Sequence, residues 1–171
     1  MKETGMETGT EKPRWKAILA PTDFSERSQR AVEAATYLAG RCGAKITLLH
    51  LVQLPASGAI ESELAVDAIV NSACASLNEI AKEIPKGLID EKLVRLDLRG
   101  TLREIVETAR NIPADLIVIA TNGHSPFRRA WMGSTAEALI RQAPCPVLVV
   151  RQNCRKNGNG AANPVGGAIE K

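Results

Sequence analysis

Two glycines, Gly123 and Gly133, are separated by nine residues, and the second is followed by Ser134 and Thr135. Glycine lets backbone amides come close to an oxyanion, and a hydroxyl at a helix start adds a donor, so the spacing suits a phosphate. Asp23 follows an apolar run and precedes Phe24-Ser25-Glu26. Its carboxylate either accepts hydrogen bonds from a ligand or, with Ser25, caps the next helix, and the two roles can coexist. Arg128 and Arg129 lie between the glycines. A solvated pair is their plainer reading, and a phosphate clamp the sharper one. His50 sits in an apolar strand and reads as a hydrogen-bonded core histidine, while His124 belongs to the glycine loop. Neither has a nucleophile and an orienting partner in sequence, so triad chemistry is not supported.

The four cysteines, Cys42, Cys74, Cys145 and Cys154, show no CxxC or metal-ligand spacing, and with two histidines a zinc site is not expected. Cys145, between two prolines, is expected to be buried and inert. Neither a G-x-x-x-x-G-K-[ST] loop nor a G-x-G-x-x-G after the first strand is present, which argues against a P-loop NTPase and an ordinary dinucleotide-binding domain. A two-component receiver needs an acceptor aspartate after strand three, where this chain has Leu98-Arg99-Gly100. The net charge of +3 is small and dispersed, so no nucleic-acid partner is expected. No signal peptide and no long apolar span are evident, so no membrane partner is expected and the chain reads as cytoplasmic with reduced cysteines.

The elements that must position these residues follow from the hydrophobic pattern. With 44% hydrophobic and 3% aromatic residues, the core must come from Val, Ile, Leu and Ala. Residues 1–14 read as a disordered tail, 15–152 as one domain, and 153–171 as a second flexible tail. Strands are expected at 15–20, 45–52, 93–98, 116–119 and 147–150, the third at a sheet edge. The helix after Asp23 carries Ala31, Val32, Ala35, Leu38 and Ala39 on one face and stops at a left-handed Gly43. A long helix over 61–83 buries a stripe from Leu64 to Ala81. The helix opened by Gly100-Thr101 has Glu104 placed for a capping box. Strands alternating with helices imply an α/β fold, an open parallel sheet with right-handed crossovers and helices on both faces. In such sheets ligands lie beyond the carboxyl ends of the strands. There Ala20-Pro21-Thr22-Asp23, His50-Leu51-Val52, residues 120–123 and Gly133-Ser134 converge.

Ala20-Pro21-Thr22-Asp23-Phe24-Ser25, Leu49-His50-Leu51-Val52, Gly123-x9-Gly133-Ser134 and Ala143-Pro144-Cys145-Pro146-Val147-Leu148-Val149-Val150 together resemble the universal stress protein family. The resemblance spans residues 15–151. It implies a single Rossmann-like, adenine nucleotide alpha-hydrolase-like domain with strand order 3-2-1-4-5. It also implies a homodimer paired through Val147, Leu148, Val149 and Val150, and a bound adenine nucleotide, ATP with or without Mg2+. Carried over to this chain, Asp23 meets the ribose or adenine side with Pro21 and Thr22 beside it. Leu51 offers backbone groups to adenine, and Gly123, Gly133, Ser134 and Thr135 cradle phosphates. The first glycine of the family pattern G-x2-G-x9-G-[ST] falls on Ala120, a departure. The resemblance thus implies a nucleotide-binding regulator of stress response. A nucleotide-free dimeric docking protein of the same fold is the alternative, and Ala120 favours it. No general base for the γ-phosphate is identifiable, so hydrolysis is expected to be slow at most.

Overall fold

The computed structural model of the chain describes residues 15–54, 63–121 and 134–151. The two tails, the segment 55–62, and Asn122, Gly123, His124, Pro126, Arg128, Arg129 and Gly133 lie outside the described residues. Nine elements alternate: β1 (Ala17–Pro21), α1 (Glu26–Cys42), β2 (Lys45–Val52), α2 (Glu63–Lys82), β3 (Ile89–Leu96), α3 (Thr101–Asn111), β4 (Leu116–Thr121), α4 (Ser134–Gln142) and β5 (Val147–Arg151). The five strands form one parallel sheet in the order β3-β2-β1-β4-β5. This is the expected order, and it places the reversal of strand order between β1 and β4.

Helices cover both faces, so the inner strands read as unbroken apolar runs. On one face Ile18, Ala20, Ile46, Leu48, Leu116 and Val118 pack against Ala31, Val32, Ala35 and Ala39 of α1 and Leu77 and Ile80 of α2. On the other, Leu19, Leu49, Ile117 and Ile119 pack against Ile105, Val106 and Ala109 of α3 and Ala136 and Leu139 of α4. Strand parity thus divides the core cleanly in two.

Local chemistry sets several boundaries. Asp115 Oδ2 accepts from the amides of Lys16 (2.7 Å) and Ala17 (3.0 Å), tying the start of β4 to the chain entering β1. Regular pairing therefore begins at Ala17, not at Trp15 as the apolar run suggested. Gly43 ends α1 in the left-handed region (φ 72°), its amide donating to the Ala39 carbonyl at 2.9 Å. The third strand starts at Ile89, earlier than residue 93, because Asp90, Glu91 and Lys92 have the exposed face of an edge position to occupy. Leu98, expected inside that strand, lies beyond its end and is 72% exposed.

Two further expectations are corrected. Glu104 does not cap α3. The cap residue is Gly100, without a side-chain bond, while Glu104 is buried and accepts from Arg99 Nε at 2.9 Å. Arg99 also pairs with Glu107, so one guanidinium holds two carboxylates of the same helix. The stripe of α2 is buried only in its second half, at Ala73, Leu77 and Ile80; Leu64 is 79% exposed and Ile69 is also exposed.

Candidate functional site

The chain leaving β1 is fixed by a set of local hydrogen bonds. Ser25 is extended (φ −71°, ψ 156°) and caps α1, its hydroxyl accepting from the Ser28 amide. Ser28 Oγ donates to the Ser25 carbonyl at 3.0 Å. Its single proton thus spent, Ser28 Oγ accepts from Thr22 Oγ1 at 3.0 Å and from the Asp23 amide at 3.3 Å. Thr22 Oγ1 in turn accepts from the Phe24 amide at 3.1 Å. Asp23 Oδ1 accepts from the amide (3.0 Å) and hydroxyl of Ser25. Phe24 sits in the left-handed region at φ 64°, which costs a bulky residue on the order of 1–3 kcal/mol. Its ring stacks on His50, centroids 4.0 Å apart.

Burial alone raises the Asp23 carboxyl pKa, but the donors from Ser25 and Ser28 outweigh it and hold the group below its ordinary value. A carboxyl depressed by folding adds stability above its unfolded pKa and loses it as pH falls through the folded value. The stability difference between wild type and Asp23→Asn should therefore be constant from pH 7 to 5 and shrink below about pH 4. Urea denaturation of both proteins across that range measures it.

At this edge a cleft of about 520 Å³ opens, a size suited to a small ligand. Pro21, Thr22, Asp23, Ser25, Arg27 and Ser28 form one side of it; Leu49, His50, Leu51 and Gln53 come from β2 and just beyond; and Thr101, Ile105, Ile119, Ala120, Ala136 and Leu139 complete it. Of the sequence-derived candidates, Pro21, Thr22, Asp23, Leu51 and Ala120 are thus brought together. Ser134 and Thr135 open α4, whose Ala136 reaches the same cleft. A larger groove of about 750 Å³ lies at the amino end of β3, lined by Lys82, Lys86 and Lys92 with Glu79, away from the carboxyl edge of the sheet.

The cleft is polarised. Leu49, Leu51 and Ile105 make its β2–α3 end apolar, while Thr22, Asp23, Ser25 and Arg27 make its β1–α1 end polar. Arg27 is the one Lys or Arg among the described lining residues. Beside those apolar side chains Thr101 donates to Asp97 Oδ2, leaving its oxygen as an acceptor toward Gln53 Nε2 at 3.4 Å; among the described residues Asp97 Oδ1 is buried without a partner.

Leu51 is placed by the ladder itself. Lys45 N–H donates to the Lys16 carbonyl and Thr22 N–H to the Leu49 carbonyl, both at 2.8 Å. In a parallel ladder alternate residues face the same neighbour, so Leu51 is the next residue of β2 to face β1. Yet β1 has ended at Pro21, and among the described residues neither Leu51 N–H nor its carbonyl has a backbone partner on that side. An adjacent donor and acceptor are left open beside the apolar end of the cleft. Ala120 pairs with Val150 and lines the cleft, while packing against the α1–α2 core rather than the α3–α4 core.

The sequence did not bring Arg27, Gln53 or Thr101 into this site. The sequence did bring His50-Leu51-Val52 to this edge, but gave His50 only the role of a hydrogen-bonded core residue. His50 is half-buried and hydrogen-bonded as expected, with Nδ1 2.8 Å from the Thr22 carbonyl, but it also lines the cleft. Cys145 is half-buried rather than buried, and partial burial, with a lesser contribution from Asp115, pushes its thiol pKa up. Among the described residues no cluster of three or more His, Cys, Asp or Glu could hold a metal ion, and no helix is long and apolar enough to cross a membrane.

The model of the universal stress protein family matches residues 14–151. The universal stress protein MJ0531 of Methanocaldococcus jannaschii is 34% identical over 142 residues, covering 81% of this chain and 83% of that protein. The solved structure of the hypothetical protein MJ0577 superposes with a TM-score of 0.67 at 26% identity, covering 84% of this chain and 99% of the other. The universal stress protein from Archaeoglobus fulgidus in complex with dAMP superposes with a TM-score of 0.55 at 24% identity, over 80% of this chain and 98% of that one, a likeness of fold.

Proposed function

This chain belongs to the universal stress protein family, and from that premise we propose that it binds an adenine nucleotide, ATP or AMP, in the cleft at the carboxyl edge of its sheet. The observation that carries the proposal is the unpaired amide and carbonyl of Leu51 beside an apolar slot. Adenine presents an acceptor, N1, next to a donor, the 6-amino group, which complements that pair. Guanine presents a donor and an acceptor in the opposite order. Burying a strand's free N–H and C=O against the wrong edge leaves both unsatisfied. With the base at the β2–α3 end, the ribose falls near Asp23 and the phosphates extend toward the start of α4, where Ser134 and Thr135 stand. Arg27 supplies positive charge at the polar end. Calorimetric titration with AMP, ATP and GTP, with and without Mg2+, tests this. The adenine nucleotides should give binding heat and GTP none; a folded protein that gives no heat with any of them sinks the proposal.

The nucleotide-free alternative draws on Ala120, which stands where the family pattern has glycine. Ala120 borders the cleft, but it packs against the α1–α2 core, off the sheet face that carries Leu49, Leu51 and Ile119, which supports the nucleotide reading over the empty one. Ala120→Gly should then change AMP affinity less than about threefold; a large gain would favour the alternative.

Homodimerisation through β5 is part of the same proposal. Ile117 N–H donates to the Pro146 carbonyl, so Leu148 and Val150 face β4 and Val149 sends its amide and carbonyl outward from the edge. Val149→Pro removes an outward donor without breaking the β4 ladder, and proline is tolerated on such edges. Sedimentation equilibrium should show a dimer for the wild type and a monomer for Val149→Pro; a monomeric wild type at high micromolar concentration refutes the pairing.

A further inference from the structure

We propose that His50 is a positioning residue that keeps the Leu51 amide free for the base, an inference that rests on the adenine-binding reading above. The parallel ladder predicts a further rung, from Leu51 N–H to the Thr22 carbonyl, continuing the bonds from Thr22 N–H to the Leu49 carbonyl and from Lys45 N–H to the Lys16 carbonyl. That rung is not made, and the Thr22 carbonyl takes His50 Nδ1 instead, at 2.8 Å. A carbonyl only accepts, so Nδ1 carries the hydrogen and the ring is in one defined tautomer when neutral. The imidazole is therefore a substitute donor. It satisfies the one acceptor that would otherwise draw the Leu51 amide back into the sheet.

The placement of the ring fits this role. His50 shares strand parity with Ile46 and Leu48, which face the α1–α2 core, whereas Leu51 packs with the α3–α4 cluster. The histidine thus supports the Thr22–Asp23 turn from the α1–α2 side of the strand, at the margin of the cleft, while the base would lie on the Leu51 side. Its orientation is set by Phe24, whose ring stacks on it at 4.0 Å with an interplanar angle of 20°. The positive φ of Phe24 is the backbone cost of that stacking, and the amide of Phe24 remains bonded to Thr22 Oγ1, so the turn stays closed around the same residue. Thr22 is then held by its amide (to Leu49), its hydroxyl (to Ser28) and its carbonyl (from His50), and every one of these bonds leaves Leu51 out.

The test pairs a protein change with a ligand change. AMP carries the N1 acceptor, and 1-deaza-AMP replaces it with C–H. Wild-type protein should bind AMP about tenfold more tightly than 1-deaza-AMP, the worth of one hydrogen bond in a shielded slot. In His50→Phe, which keeps a ring for Phe24 but donates nothing, Leu51 N–H closes onto Thr22 and the ratio should fall toward one. His50→Asn places an amide nitrogen where Nδ1 stands and should restore the ratio. A structural role alone would lower both affinities together and leave the ratio at the wild-type value. A folded His50→Phe that still discriminates tenfold overturns the proposal while leaving adenine binding intact, whereas a wild type that binds neither nucleotide overturns both. If His50→Phe does not fold, amide exchange on the wild type decides: Leu51 N–H should exchange rapidly in the free protein, be protected by AMP and not by 1-deaza-AMP. Protection in the free protein would overturn the proposal.

Discussion

Asp23→Ala is expected to lower the affinity for AMP by roughly ten- to a hundredfold, the usual worth of hydrogen bonds to a charged acceptor. Oδ1 is already engaged by Ser25, so the rest of the exposed carboxylate is what remains for a ribose diol. The loss has two parts that can be separated. Removing the carboxylate deletes the proposed ribose contact, and it also frees the Ser25 amide that orders the turn before α1. Asp23→Asn retains an acceptor for Ser25 but loses the charge. It should recover the thermal stability lost in the alanine variant and only part of the affinity. Titrating both variants with AMP and 2′,3′-dideoxy-AMP measures the split: the dideoxy ligand should bind wild type and Asp23→Ala within about threefold of each other. If Asp23→Ala binds AMP as wild type does, the carboxylate is a helix-turn residue and nothing more.

What sequence patterns made legible was whatever rests on strand order and parity. Continuous runs such as Leu116-Ile117-Val118-Ile119 gave buried parallel strands, and the alternation of elements gave the sheet. The site followed insofar as it is made of strand ends: Pro21, Thr22, Asp23, Leu51 and Ala120 meet because β1, β2 and β4 are adjacent and stop at one level. Thr101 and Gln53 were not legible as site residues. Each is an ordinary polar residue at a helix start or loop, and only the pairing of β3 with β2 brings them together, with Asp97 N–H reaching the Val52 carbonyl. Glu104 misled for a related reason. Its spacing from Thr101 matches a capping box, but Arg99, just before the helix, offers a cation, and a buried carboxylate is held better by a guanidinium than by one amide. His50 was read correctly as hydrogen-bonded, yet its acceptor could not be named without knowing that β1 stops one rung early.

Helix α2 gives the sharpest contrast between pattern and packing, and the last large effect expected. Leu77 is 1% exposed and Leu64 is 79% exposed, although both belong to one apolar stripe of the same helix. Leu77→Ala removes a side chain packed among Ile80, Ile46 and their neighbours in the α1–α2 core and should cost about 2–5 kcal/mol, the range for deleting a buried leucine. At roughly 2–4 °C per kcal/mol for a chain of this size, the melting temperature should fall by roughly 4–20 °C. Leu64→Ala deletes the same atoms from an exposed position and should stay within about 0.5 kcal/mol of wild type. Helical periodicity reports which face is apolar; it cannot report how far along its length the sheet extends beneath it. Here the helix continues past the sheet, and burial begins only at Ala73. Denaturant unfolding of the two variants, compared at equal m-value, tests this. Equal losses at the two leucines would mean that the first half of α2 is covered in solution, which a self-associating chain would show as a loss at Leu64 that grows with protein concentration.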